Sequence, residues 1–154
     1  MLFGKRMKQA RLDSLQKEGD LTYQSSGQTM IALQWTKNVR AVRDIILEKL
    51  GLEFNSCLFN FCRNGIDSMG WHQYNEKSQG VNPMIASETF GSERKFKLKN
   101  SSKDIRKTIV LTHGSLMIKC GETQHSYKQA LLKTKRNREL FYLLKQYSIK
   151  KECM

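Results

Sequence analysis

Acidic residues are scarce in this chain, and so are proline and long apolar runs. Only 14 Asp and Glu stand against 27 Lys and Arg over 154 residues, a formal charge of +13. Such an excess suits a polyanionic partner, since each phosphate neutralised by a basic side chain releases condensed counterions. On charge alone, a merely soluble basic surface reads as well. No apolar run approaches the roughly 18 residues of a membrane-spanning helix. Met1-Leu2-Phe3-Gly4-Lys5-Arg6 lacks the apolar core of a signal peptide. The four cysteines, Cys57, Cys62, Cys120 and Cys153, form no C-x-x-C pair and no zinc-binding spacing. These absences describe an intracellular chain, cytoplasmic or nuclear, with reduced thiols, no membrane partner and no disulfide-linked partner. A monomer is expected.

What is present fits a single domain over residues 1–154, with a real core. Residues 3–6 and 21–23 read as short extended stretches flanking a polar segment that ends in the turn signal Ser25-Ser26-Gly27. Trp35-Thr36 opens the clearest helix. Thr36 is a good N-cap, Val39, Val42, Ile46 and Leu50 recur at helical spacing, and Gly51 marks the stop. Residues 54–62 alternate as a strand, and residues 85–90, 95–99, 108–111 and 116–119 read as further short strands. Turns at Gly91-Ser92, Asn100-Ser101-Ser102 and His113-Gly114 separate them, a spacing that suggests an all-β sandwich or barrel with one buttressing helix. Near the end, Leu140, Leu143, Leu144 and Tyr147 repeat at helical spacing, which reads as a helix within a divergent tail, residues 137–154.

The densest information lies in residues 54–96, FNSCLFNFCRNGIDSMGWHQYNEKSQGVNPMIASETFGSERKF, which hold the only proline, Pro83. This stretch resembles the AlkB-like, Fe(II)- and 2-oxoglutarate-dependent dioxygenases, which remove alkyl groups from nucleic-acid bases. Their pattern there is FNSxLxNxYxxGxDSMxWHxDxE…PxIASxSFGxxRxF. Upstream, Leu2-Phe3-Gly4-Lys5, Arg11-Leu12, Tyr23 and Ser26-Gly27 also match. The resemblance implies a mainly β fold with some α, a double-stranded β-helix of the jelly-roll type. It also implies Fe(II) and 2-oxoglutarate as cofactors and DNA or RNA as partner. Family members carry further sequence ahead of LFGK, so the chain reads as a domain lacking the family's N-terminal part.

The resemblance also marks departures. Iron in this class is held by two histidines and a carboxylate on one face, leaving the other open. His72 matches the first ligand, Tyr74 stands where the carboxylate belongs, and Gln129 stands at the second histidine. A phenol ionises near pH 10 and brings no negative charge at neutrality. Of the residues that bind 2-oxoglutarate, Asn60 persists, Cys62 replaces a tyrosine, and Phe141 and Tyr147 align with the two arginines whose forked donors grip carboxylates. Leu15 and Gln16 replace two aromatic residues in the region that covers the flipped base.

Four functions compete. The first is a dioxygenase homologue of the nucleic-acid dealkylation type with little or no turnover. The second is an active demethylase with a site rebuilt from His72, Glu76 and His125. The third is a non-catalytic binder of single-stranded nucleic acid using Arg63, Lys95, Lys97, Lys99, Lys133, Lys135 and Arg136. The fourth is a truncated chain with no stable function.

Overall fold

The computed structural model describes residues 11–19, 22–25, 28–73, 84–100, 102–135 and 140–146. The stretch at residues 3–6 and the positions Tyr74, Glu76, Pro83, Arg136, Tyr147 and Cys153 lie outside them. In chain order the elements are β1 (Leu12–Lys17), β2 (Thr22–Ser25), β3 (Gln28–Ile31), α1 (Lys37–Leu50) and β4 (Ser56–Cys62). There follow β5 (Met69–His72), β6 (Ile85–Gly91), β7 (Arg94–Asn100), β8 (Ile105–Leu111) and β9 (Ser115–Lys119). Last come α2 (Thr123–Ser126), β10 (Lys128–Leu131) and β11 (Leu140–Gln146).

The strands make a five-stranded sheet ordered β1-β4-β11-β6-β9 and a four-stranded sheet ordered β5-β10-β7-β8, with β2 and β3 as a separate hairpin. Every pairing between these strands is antiparallel. Alternation along each strand sorts residues into two layers. Leu58 and Cys62 of β4 and Ile85 of β6 pack with Met69, Phe96, Leu98, Leu111 and Leu131 between the two sheets. Cys57, Phe59 and Ala86 face the other way and pack with Trp35, Val39, Val42, Ile46 and Phe54 of the helical layer. The fold is the double-stranded β-helix with one buttressing helix.

Helix α1 runs where its periodicity places it, and Gly51 closes it in the left-handed conformation (φ 65°), its N–H donating to the Leu47 carbonyl at 2.8 Å. Two details differ from the sequence reading. Leu50 is 47% exposed, so the buried seam ends at Ile46. Thr36 occupies the N-cap position without a side-chain capping bond; instead its backbone N–H donates to Gln16 Oε1 at 2.9 Å.

Two strands stand where the pattern suggested otherwise. The polar segment after Arg11 is β1, paired along its length with β4, and it buries Leu15 and Gln16. The tail segment is not a helix but β11, hydrogen-bonded to β4 on one side and β6 on the other. Leucine spacing at 140, 143 and 144 fits a helical turn, yet two flanking strands offer full ladders of donors and acceptors, and such tertiary pairing outweighs local propensity.

Candidate active site and basic groove

His72 ends β5, and Gln129 sits directly across from it on β10. Strand alternation alone would turn Met69 and His72 to opposite faces. The ladder, however, shifts register between Gln129 and Leu131: three steps on β5 answer two on β10. This bulge turns both Met69 and His72 inward and re-aims the two residues between them, Gly70 and Trp71. Trp71 is 40% exposed.

Three side chains converge at this corner. Gln129 Nε2 lies 3.1 Å from His72 Nε2, and His72 Nδ1 lies 2.7 Å from the Gly70 carbonyl oxygen. A carbonyl only accepts, so Nδ1 carries the proton, and Nε2 presents its lone pair to the Gln129 amide N–H. The third member is Lys119, which sequence reasoning passed over as the end of a strand. It lies opposite Ile85 on β9, is 4% exposed, and its ammonium donates to Gln129 Oε1. Its Nζ also lies 5.5 Å from the centre of the Phe96 ring. Burial pushes the Lys119 amine down from 10.5 to about 7. His72 is shifted below its ordinary value of 6.5, first by burial and then by the positive charges of Lys119 and Arg11, against the Gly70 hydrogen bond. The sequence carries no signal for it, since Leu116, Met117 and Ile118 are all apolar; the structure puts Lys119 in phase with Met117, alternating with exposed Leu116 and Ile118.

This corner does not fit Fe(II). A metal needs the lone pair of His72 Nε2, which accepts from Gln129, and an acceptor at position 129, whose carbonyl oxygen is held by Lys119. Among the described residues no group of three or more His, Cys, Asp or Glu is placed to hold a metal. His125, in α2, is exposed, and its backbone carbonyl accepts from Gln73 Nε2 at 3.4 Å. His113 belongs to a turn, where its Nδ1 accepts from the Gly91 N–H at 3.0 Å.

The described residues that the sequence aligned with 2-oxoglutarate binding lie on β4 and β11. Asn60 is buried on the inner face of β4, with Oδ1 accepting from Arg11 Nε and Nδ2 without a hydrogen-bond partner among the described residues. Cys62 lies two residues on, fully buried, and burial pushes its thiol up against the opposing influence of Arg94. On β11, register places Leu140, Tyr142 and Leu144 opposite Cys62, Asn60 and Leu58, and Phe141 opposite Phe61. That strand offers no arginine to a carboxylate.

The basic residues separate into groups. Lys95, Lys97 and Lys133 line one groove of about 450 Å³ with Glu93, Arg94, Val110, Leu132 and Thr134. Lys99, further along β7, sets its Nζ 4.5 Å from the centre of the Trp71 ring. Lys135 is exposed. Arg63 is tied to Asp67, with Nε to Oδ2 at 2.7 Å and a second arm to Oδ1 at 2.8 Å. Buried Arg94 braces the groove floor by donating to the carbonyls of Asn64, Asp67 and Leu132.

A jelly roll whose first histidine and Gln129 pair across β5 and β10 is the architecture of an Fe(II)/2-oxoglutarate oxygenase. The chain belongs to the 2OG-Fe(II) oxygenase superfamily, whose model matches residues 3–151. It is 35% identical over 131 residues to the human alpha-ketoglutarate-dependent dioxygenase alkB homolog 3, covering 79% of this chain and 46% of that protein. It is 32% identical over 125 residues to the mouse DNA oxidative demethylase ALKBH2, covering 76% and 52%. An uncharacterized protein, R406, of Acanthamoeba polyphaga mimivirus is 33% identical over 120 residues, covering 78% and 62%. The chain thus spans about half the length of the curated relatives it matches. The solved structure of OsALKBH1 shares the fold, with a TM-score of 0.54 at 14% identity, covering 91% of this chain and 81% of that one. Among the described residues no helix is long and apolar enough to cross a membrane.

Proposed function

We propose that this chain is an AlkB-like family member that binds nucleic acid without oxidative turnover. The observation that carries the binding half is the convergence of Lys95, Lys97 and Lys133 on one groove, with Lys99 in the same phase of β7 and its Nζ 4.5 Å from the centre of the Trp71 ring. Sheet pairing supports it. Lys99 lies between Arg106 on β8 and Lys128 on β10, so like charges face each other across both ladders. Opposed like charges on neighbouring strands destabilise a sheet by up to about 1 kcal/mol per pair, a cost that a bound polyanion offsets. Exposed Trp71 adds a face on which a base can stack. The relatives named as dioxygenase and DNA demethylase make nucleic acid the favoured polyanion. Arg63, with its fork engaged by Asp67, is assigned to the fold rather than to phosphate.

The absence of turnover follows from the donor set. A phenol at 74, an amide at 129 and no arginine on β11 leave neither iron nor the co-substrate carboxylates adequately held. Tyr74→Asp alone should restore no 2-oxoglutarate-dependent demethylation, read as succinate release. Binding is tested by anisotropy of a labelled single-stranded oligonucleotide across a salt series. Affinity should be weak and indifferent to sequence, and its logarithm should fall linearly with that of salt. Changing Lys95, Lys97 and Lys133 together to Glu should flatten that slope by about 2. Affinity unchanged between low and moderate salt would sink the binding half. Succinate released above the uncoupled background by the unmodified chain, with a methylated oligonucleotide present, would sink the other and revive the rearranged demethylase.

A further inference from the structure

Substitution at two ligand positions does not by itself account for the full hydrogen bonding of this corner. The polarity of each bond can be followed. The Lys119 ammonium donates to Gln129 Oε1, the Gln129 amide N–H donates to His72 Nε2, and His72 Nδ1–H donates to the Gly70 carbonyl. An amide has one acceptor end and one donor end. As an ammonium Lys119 has only donors, so the end of Gln129 that meets it is the oxygen. That choice turns the NH2 group onto His72 Nε2, matching the tautomer that the Gly70 carbonyl selects.

We propose that Lys119 is an internal lock on this corner, a positioning residue that turns the Gln129 amide onto His72 and closes Nε2 to metal ions. In the reversed orientation, Gln129 would offer its oxygen beside an imidazole lone pair, two neutral donors facing one point. With Lys119 present that arrangement leaves a buried donor facing a donor. The lock joins three strands, β9, β10 and β5, through side chains that are otherwise far apart in sequence. Phe96 supports it from the side, its ring facing the Lys119 Nζ.

The inference rests on the reading of this corner as metal-free, and it adds a specific obstacle. Restoring the carboxylate by Tyr74→Asp leaves the Gln129 amide still turned by the buried lysine. The test keeps Gln129 and compares Tyr74→Asp with Tyr74→Asp/Lys119→Met, titrated anaerobically at mildly acidic pH with Fe(II) and, separately, with Co(II), by calorimetry. The variant lacking Lys119 should bind at least tenfold more tightly. Equal affinity in the two would overturn the lock. Nitrogen-15 NMR of the histidine rings in the unmodified chain gives a second measurement that needs no variant to fold. His72 should show the Nδ1–H tautomer, unchanged by added Co(II) or Zn(II). A proton on Nε2, or a metal-induced shift of that nitrogen, would overturn the proposal. The two readings fail separately: succinate production by the unmodified chain defeats the absence of turnover, whereas equal metal affinities defeat only the lock.

Discussion

Lys119 should give this barrel a pH-dependent stability that one substitution removes. Its amine ordinarily titrates at 10.5, and burial brings it to about 7 in the folded chain. Between those values the unfolded chain holds a proton that the folded chain has released. Stability therefore rises with pH across the window, by at most about 1.4 kcal/mol per unit. The cost of enclosing the ammonium is fully present below pH 7 and vanishes above 10.5. Integrated from pH 7 to about pH 9.5, the gain is about 3 kcal/mol as an upper bound, since the Gln129 carbonyl and the Phe96 face stabilise the charged form. His72 acts in the same direction at lower pH: its folded value lies below 6.5, so stability falls as pH drops through that region. The assay is urea unfolding of the unmodified chain and of Lys119→Met at several pH values. Lys119→Met should hold its advantage at neutral pH and lose up to about 3 kcal/mol of it by pH ~9.5. A difference that stays constant within about 0.5 kcal/mol over that range would refute the burial of the amine.

Phe96 is fully buried between the sheets, so Phe96→Ala should cost about 3–5 kcal/mol in chemical unfolding. Leu143 lies mid-strand in β11 between two ladders, so Leu143→Pro should cost about 3 kcal/mol or more and lower the thermal midpoint sharply. The same change in a helical tail outside the sheet would be nearly silent in that measurement. Arg63→Gln should leave oligonucleotide affinity within twofold while reducing thermal stability, since its fork closes the turn on Asp67.

The parts of this molecule visible in its sequence are those set by local pattern. Helix α1 follows from Val39, Val42 and Ile46 with Gly51 behind them, and residues 54–96 carry a motif dense enough to imply the jelly roll and the meeting of His72 with position 129. Features set by tertiary pairing were hidden. The leucines of β11 fit a helix until β4 and β6 are placed on either side. The exposure of Trp71 depends on the bulge between β5 and β10. Lys119 is one lysine among many, and only the closure of β9 against β6 puts it inside. Even then, its meaning depends on Gln129, ten residues away and on the other sheet.

The central claim is that the family fold persists while its metal and co-substrate sites do not. Anaerobic calorimetry of the unmodified chain with Fe(II), with and without 2-oxoglutarate, tests it most directly. The account predicts no saturable heat from Fe(II) and none added by 2-oxoglutarate. Stoichiometric Fe(II) binding that tightens when 2-oxoglutarate is present would contradict it.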